Sequence, residues 1–421
     1  MRLIADLHIH SRFSRATSPS MNISELSKWA RIKGISILGT GDFTHPLWLS
    51  ELKLNLKTEE DGLFSLNNSL FMLTSEVSAI FSVNKIVKKI HLLIFAPSFE
   101  IVEQINEGLA KRGNLKADGR PIFGMRAEEI VELVMNTSRD CEVIPAHAWT
   151  PWFGIFGANS GFNSVEECFQ DQAKHIHALE TGLSSDPAMN WRLSALDKYT
   201  LISNSDAHSP AKLGREANVF ELKRASYFEL LEAIRKKDKS KFKLTYEFFP
   251  EEGKYHLDGH RDCNMRLSPR ESLAHKNICP ACGKKITVGV LHRVEELADR
   301  PEGFTPENAI PFKSLIPLQE IIADALGKGE STQLVQEEYA KITSAFNGEF
   351  NALEASEEEL KKVTSEKIAE GVARVQKGKV FILPGYDGVY GEISVFRESK
   401  QAKENTARNL QNKQKSLDEF F

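Results

Sequence analysis

Imidazoles and carboxylates recur through the first half of the chain, each beside a short apolar run. His8 and His10 close the run DLHIH. Asp42 follows a second run in GTGD, and Glu76 ends a third. His91 opens a fourth, His147 ends a fifth in PAHAW, and Glu180 ends a sixth. Asp206 and His208 follow a seventh in NSDAHS. On an extended strand, positions i and i+2 face one side, so His8 and His10 can grip one cation. Asp206 and His208 can do the same. A histidine met alone on a strand is ordinarily a core or surface residue. A whole set at matching ends of successive elements is different, because burying such charges together is costly unless cations pair with them. We therefore expect His8, His10, Asp42, Glu76, His91, His147, Asp206 and His208 as metal ligands, with Glu76, Asp206 and His208 as the catalytic residues among them. Imidazole and carboxylate ligands suit Zn, Mn or Fe. Two or three divalent ions, zinc first and Mn or Mg as alternatives, would clamp a phosphate and lower the pKa of a bridging water. The implied reaction is hydrolysis of a phosphate ester. No Walker A loop, kinase lysine pattern or G-x-S-x-G competes with it.

The elements that must position these groups can be read from the apolar pattern. Runs at 3–9, 35–40, 70–77, 90–95, 143–147, 176–181 and 200–203 predict buried strands. Segments 23–33 and 127–135 predict helices between them. Such alternation argues a parallel sheet, open or closed, and seven strands fit a small barrel. In a parallel barrel, functional groups gather at the carboxyl ends of the strands. His91 breaks that rule by opening its run, which puts the boundary or direction of its strand in question. From 246 to 300, charges, His and Cys crowd together; from 301 to 378 the pattern is helical. VFILPGYDGVYGEISVF then reads as a hairpin about Asp387-Gly388.

With 421 residues, two or three domains are expected. The 41% hydrophobic and 27% charged composition is that of a soluble globular protein. The start, MRLIADLHIH, does not read as a signal peptide, and no run is long enough to span a membrane. A cytoplasmic protein is expected. A formal net charge of -4 rules out a global basic field but not local ones. Arg235, Lys236, Lys237, Lys239, Lys241 and Lys243 form one basic cluster, and Arg397 to Lys415 carry another.

Five cysteines make a disulfide framework improbable and a metal site the better use of a close pair. His260 and Cys263 stand at x-two spacing, and so do Cys279 and Cys282. Fifteen residues separate Cys263 from Cys279, the spacing of a two-knuckle structural zinc site. His256 and His275 compete with His260 for the fourth place.

The ligand pattern resembles the PHP (polymerase and histidinol phosphatase) family, with its opening H-x-H and closing D-x-H. Gly41-Asp42-Phe43 stands where many members carry a His after the Asp, and Ser14, Arg15 and Ala16 lie where a further His is common. ADLHIHSRFSRATS, GTGDFTHPLW, PAHAWTPWFG, ISNSDAHSP, LGREAN and GVLHRVEELADRP are more specific: together they resemble the endonuclease Q family over nearly the whole chain. That resemblance implies an α/β fold, a distorted (β/α)7 PHP barrel followed by a small zinc-binding module and a helical C-terminal domain. The corresponding divisions are 1–245, 246–300, 301–395 with the terminal hairpin, and a flexible basic tail over 396–421. It further implies a DNA repair endonuclease that cuts 5′ to uracil, hypoxanthine, xanthine and abasic sites.

A deaminated base pairs poorly and flips out cheaply. Trp149 and Trp152, just after His147, are candidates to wall a base pocket; Arg12, Arg15, Lys212 and Arg215 are candidates to hold phosphates. The chain ends in a Q-x-x-L-x-x-F-F pattern, Gln414, Leu417, Phe420 and Phe421, that resembles a sliding-clamp binding motif. Damaged DNA and the clamp are the expected partners, with nucleoid association following from them. A small-molecule PHP phosphatase would share the metal ligands, but the zinc module and tail would be idle in it.

Overall fold

Short apolar runs flanked by turn residues have too little length for helices and extend instead. A computed structural model describes residues 1–396. The expected clamp-binding residues Gln414, Leu417, Phe420 and Phe421 lie outside the described residues. Seven strands follow in order: β1 (Arg2–Asp6), β2 (Ile37–Gly39), β3 (Ser69–Val83), β4 (Ile86–Ala96), β5 (Glu142–Pro145), β6 (Ala178–Glu180) and β7 (Thr200–Ile202). β1, β2 and β3 pair in parallel. β3 and β4 form an antiparallel hairpin, and β4 is antiparallel to β5. β6 and β7 are parallel. The bond from Ala148 N to Glu180 O (2.9 Å) joins the ends of β5 and β6. The bond from His10 N to Ala207 O (3.0 Å) joins the chain beyond β7 to the end of β1. The ring is therefore closed, but loosely at two seams, which is the distortion expected of this α/β barrel.

The reversal of β4 answers the question raised by His91. The residue sits mid-strand opposite Ser78, and an antiparallel strand brings its middle, not its end, to the metal-bearing rim.

Among the strands not legible in the sequence, two continue the sheet past β1. β8 (Ala217–Glu221) lies antiparallel to the outer edge of β1, and β9 (Phe242–Glu247) lies antiparallel to β8. Asn218 looks like a loop residue yet is buried. Its side-chain oxygen accepts from Ser203 N (2.9 Å) and its amide donates to Ser203 O (2.7 Å). It thereby ties β7 to the barrel in place of a strand ladder.

Helices pack outside the ring. Helix Ile23–Lys33 starts at Asn22, whose side chain accepts from Glu25 N, and stops at Gly34 in the left-handed conformation. Helix Ala127–Thr137 buries Ile130, Val131 and Val134, spaced for one face. The helical C-terminal region holds Leu318–Leu326, Gln333–Ala345, Glu349–Glu354, Glu357–Lys361 and Glu366–Gln376. It is joined to the barrel. Lys33 Nζ lies 2.6 Å from Glu349 Oε2, both buried, and Tyr339 donates to the same carboxylate at 2.6 Å. Gly348 (φ +134°) touches Gly34 so closely that a Cβ on Gly348 would meet Gly34 Cα at 2.7 Å. Phe312–Ser314 extends the barrel sheet beside β9. The expected hairpin forms as Phe381–Leu383 against Glu392–Ser394, with Asp387 and Gly388 at positive φ. No helix among the described residues is long and apolar enough to cross a membrane.

Candidate metal centre

The rim of the barrel brings seven side chains, from five stretches of the chain, to one point. His8 and His10, leaving β1, are both buried. Each presents Nε2 to the same two carboxylates. His8 Nε2 lies 3.6 Å from Glu76 Oε2 and 3.7 Å from Asp206 Oδ1. His10 Nε2 lies 3.2 Å and 3.1 Å from the same atoms. The other oxygen of Glu76 faces His91 Nδ1 (2.6 Å) and His147 Nε2 (2.9 Å). His208 stacks beside His10, ring centroids 4.5 Å apart. Three groups thus have donor atoms within 4.8 Å of one another: His8, His10 and Glu76; His10, Asp206 and His208; Glu76, His91 and His147. Glu76 and His10 each belong to two of them, so neighbouring cations would be bridged.

The donor atoms fit metals better than they fit each other. His8 Nε2, His10 Nε2 and Asp206 Oδ1 are buried, and none has an aligned hydrogen-bond partner among the described residues despite the short separations. Lone pairs converging without hydrogens between them are what a cation site requires. The opposite ring nitrogens are fixed. His8 Nδ1 meets Glu180 (3.0 and 3.1 Å), and Glu180 also accepts from Asn204 Nδ2 (2.8 Å) and His147 N (2.8 Å). His10 Nδ1 meets Asp42 Oδ1 at 3.0 Å.

Asp42 is therefore not where a direct ligand would stand. Its Oδ2 accepts from Ser11 N (2.7 Å), Ser11 Oγ (2.7 Å) and Ser14 Oγ (2.8 Å). It sits behind His10 and orients it, and it belongs to none of the three groups. The extended-strand rule places His10 correctly but does not reveal which carboxylates stand one layer back.

Three of these residues carry backbone strain. Asp42, His147 and Asp206 have φ of 47°, 30° and 47°, a left-handed region that non-glycine residues seldom adopt. Charge is also balanced tightly. Burial disfavours a charged His8, but Glu180, Asp206 and Glu76 outweigh it and raise its pKa well above the ordinary value. Burial likewise opposes charge on His10, and Asp42, Asp206 and Glu76 raise it well above that value. Burial dominates at His91 and pushes it down to about 4. Burial would raise Glu76, yet His91, Arg120 and His8 hold it well below the usual carboxylate range.

Among protein-family models, one described as PHP-associated matches residues 193–238. Another, the MJ0043 C-terminal domain, matches residues 317–379. Protein MJ0043 of Methanocaldococcus jannaschii is 36% identical over 259 residues, 60% of this chain but only 32% of that protein. The chain thus spans about a third of that relative. YqxK of Bacillus subtilis is 29% identical over 93% of this chain and 99% of its own length. Among solved structures, the lesion-specific endonuclease PfuEndoQ of Pyrococcus furiosus superposes with a TM-score of 0.85. It is 33% identical, over 95% of this chain and 98% of that one. The chain belongs to the endonuclease Q family. Endonuclease Q in complex with a 27-mer duplex carrying an abasic lesion at the active site matches with a TM-score of 0.82 and 32% identity, over 95% of this chain and 100% of that one.

As an endonuclease Q family member, the chain also carries a cysteine cluster. His260 ends a short strand, Asp258–His260, paired with Met265–Leu267, and Cys263 lies in the turn between them. Cys279 and Cys282 come from the second knuckle. Their ligand atoms and His260's lie within 4.8 Å of one another, with Cys282 Sγ 3.5 Å from His260 Nδ1. His256 and His275 are not in this group. The local apolar core is only Leu267, Cys279 and Ile286, too little to hold the segment without a staple.

A cavity of about 660 Å³ opens beside the metal centre. Trp152, Tyr255, Lys212, Arg215 and Glu252 line it. Two residues connect it to the metal centre. Thr150 lines the cavity and its Oγ1 bonds His147 Nδ1 (2.9 Å); Arg215 donates from Nε to Ser205 O (2.8 Å), next to Asp206. Trp149 does not line it. Its ring is buried in the core, and its N–H donates to Asn190 Oδ1 (2.8 Å). Arg12 is paired with Glu51 (2.6 Å), and the largely exposed Arg15 with Asp118 (3.2 Å). The basic cluster at 235–243 is largely spent internally, for example Arg235 on Glu142 and Lys236 on Glu232. Sequence reasoning missed Arg120, whose guanidinium lies 3.0 Å from Glu76 Oε2. It comes from a loop with no motif, and only the fold shows where that loop returns.

Proposed function

We propose that this chain is a DNA repair endonuclease that recognises deaminated bases (uracil, hypoxanthine and xanthine) and abasic sites, and hydrolyses the phosphodiester 5′ to the lesion. The observation that carries this reading is the cavity joined to a phosphate-competent metal centre through Thr150 and Arg215. The similarity to PfuEndoQ, a lesion-specific endonuclease, supports it. So does the endonuclease Q complex with an abasic duplex.

His8, His10, Glu76, His91, His147, Asp206 and His208 would hold two or three divalent cations. When bound, such cations supply a lowered water pKa and positive charge opposite the phosphate. The chain's own groups do the rest. Glu180 and Asp42 fix the ring orientations of His8 and His10. Glu76, Asp206 and His208 are the catalytic residues of this reading. Arg120, Lys212 and Arg215 place cationic groups around the site, and Trp152 and Tyr255 offer flat faces to an extruded base. A base taken out of the stack into such a cavity is shielded from water and read on its edge. His260, Cys263, Cys279 and Cys282 would hold a structural zinc.

We also propose the division into a barrel over 1–245, a zinc module over 246–300, a helical domain over 301–395 and a tail over 396–421 that binds a sliding clamp through Gln414, Leu417, Phe420 and Phe421. That tail would bring the enzyme to the nucleoid. The test is a nicking assay with Mn, Mg or Zn on duplexes that each hold one deoxyuridine, deoxyinosine, deoxyxanthosine or abasic site. Cleavage on the 5′ side of each lesion is expected. Equal cutting of undamaged duplex, or turnover of small phosphate esters alone, would refute the reading.

A further inference from the structure

The hairpin of β3 and β4 is longer than the barrel needs. β3 pairs with β2 only at Leu70–Met72 and with Ile122–Phe123 only at Ser78 and Ala79. β4 pairs with β5 only from Leu92 to Phe95. Beyond that, Lys89 N still donates to Ser160 O (3.3 Å), but Phe81 with Lys88, Ser82 with Val87 and Val83 with Ile86 have only each other as ladder partners. A two-stranded ribbon therefore projects past the carboxyl rim, ending in Asn84 and Lys85 at φ 50° and 67°, a tight hairpin turn.

The root of this ribbon is anchored and its tip is bare. Phe81 is buried against Phe162, and the Lys88 ammonium lies 4.5 Å over the Phe162 ring. Ile86 and Val87, at the tip, are 59% and 49% exposed. An isolated ribbon is marginal in water, and apolar residues at its tip serve nothing inside this chain. Strand alternation places His91, Lys89 and Val87 on one face of β4. Val87 therefore stands about 13 Å beyond the metal-centre histidine, with a lysine between them. Lys85 and Lys89 have no carboxylate within 4.0 Å among the described residues, and the Lys89 ammonium rests 5.4 Å over the Phe153 ring, whereas Arg12, Arg15, Arg120 and Lys212 around the same rim are all paired with acids.

We propose that this tip is a wedge: Ile86 and Val87 enter the base stack of a DNA duplex next to the lesion, while Lys85 and Lys89 hold the flanking phosphates. The inference rests on the endonuclease reading and deepens it by naming what opens the duplex. Apolar side chains between base steps offset unstacking and keep the extruded nucleotide from returning. Two lysines with no carboxylate beside them make nucleic acid the matching occupant.

The test uses Ile86→Thr/Val87→Thr, which keeps β-branched residues in the ribbon while removing its apolar tip. Wild type and variant are compared on one deoxyuridine in a fully paired duplex and in a bubble of unpaired bases. Nicking of the paired duplex should fall about 10-fold or more, while nicking of the bubble stays within about 2-fold, since nothing there must be unstacked. With EDTA and no turnover, 2-aminopurine beside the lesion should brighten on binding wild type and stay dim with the variant. Equal loss on both substrates, or none on either, overturns the wedge while leaving the endonuclease reading intact. A wild type that cuts neither substrate overturns both.

Discussion

Asp42 stands behind His10, 3.0 Å from Nδ1, and turns the other ring nitrogen toward Glu76 and Asp206. Glu180 does the same for His8. The two carboxylates have one role, to fix tautomer and aim without offering an oxygen to the metals. Asp42→Asn and Glu180→Gln should each weaken metal binding about 10- to 100-fold with little change in melting temperature. Titration with Mn or Zn followed by calorimetry checks this. Unchanged affinity would mean that packing alone sets the rings.

Asp206→Asn should abolish nicking and leave the circular dichroism spectrum and unfolding transition close to wild type. Its Oδ1 faces both His8 and His10 and has no aligned partner among the described residues. Retained activity would remove it from the catalytic set.

Metal affinity should rise with pH. Without metal, neighbouring carboxylates raise the pKa of His8 and His10 well above the ordinary value, so both rings hold a proton more tightly than a free imidazole. A cation must displace those protons, which makes acid its competitor. Binding should tighten as pH increases from roughly 6 to 9, with the protons released per cation declining over the same range. Calorimetry in buffers of different ionisation enthalpy counts the protons. A flat profile would contradict the charge state inferred for the two rings.

Cys279→Ser should remove one zinc, measured by elemental analysis, and lower the unfolding temperature. Cation binding at the barrel site should be affected far less, because the two sites share no residue. If zinc content is unchanged, the His260–Cys263–Cys279–Cys282 assignment fails.

Deleting 414–421 should leave nicking of free DNA intact and abolish capture by the sliding clamp in a pull-down. Persistent capture would move the clamp contact elsewhere.

What could be read from the chain, and what could not, divides along a physical line. Residues that act by their position on a regular element were legible: His8 and His10 at i and i+2, helix Ile23–Lys33 from its cap to its glycine, and the Asp387-Gly388 turn. Residues that act through a neighbour were not. Asp42 and Asp206 look alike in sequence, each a carboxylate after a strand, and only the packing shows that Asp206 faces the converging imidazoles and Asp42 a histidine's back. Trp149 and Trp152 stand three apart, yet the indole of Trp149 finds Asn190 in the core while that of Trp152 remains outside. Arg120 reaches Glu76 from a loop that no local pattern marks. β8 and β9 escaped because their buried polar residues, Asn218, Thr245 and Glu247, read as surface.

The Lys33–Glu349 pair has a consequence for how this molecule can be taken apart. If the C-terminal helices were cut away, Lys33 would be left as a lone ammonium in an apolar seam, and the Gly34 backbone would lose the surface it rests on. Breaking such a buried pair is far more damaging than never having had it. The catalytic ring is thus not an independent chassis with accessories bolted on, and shortening the gene to its metal-bearing half should yield an insoluble product rather than a minimal nuclease.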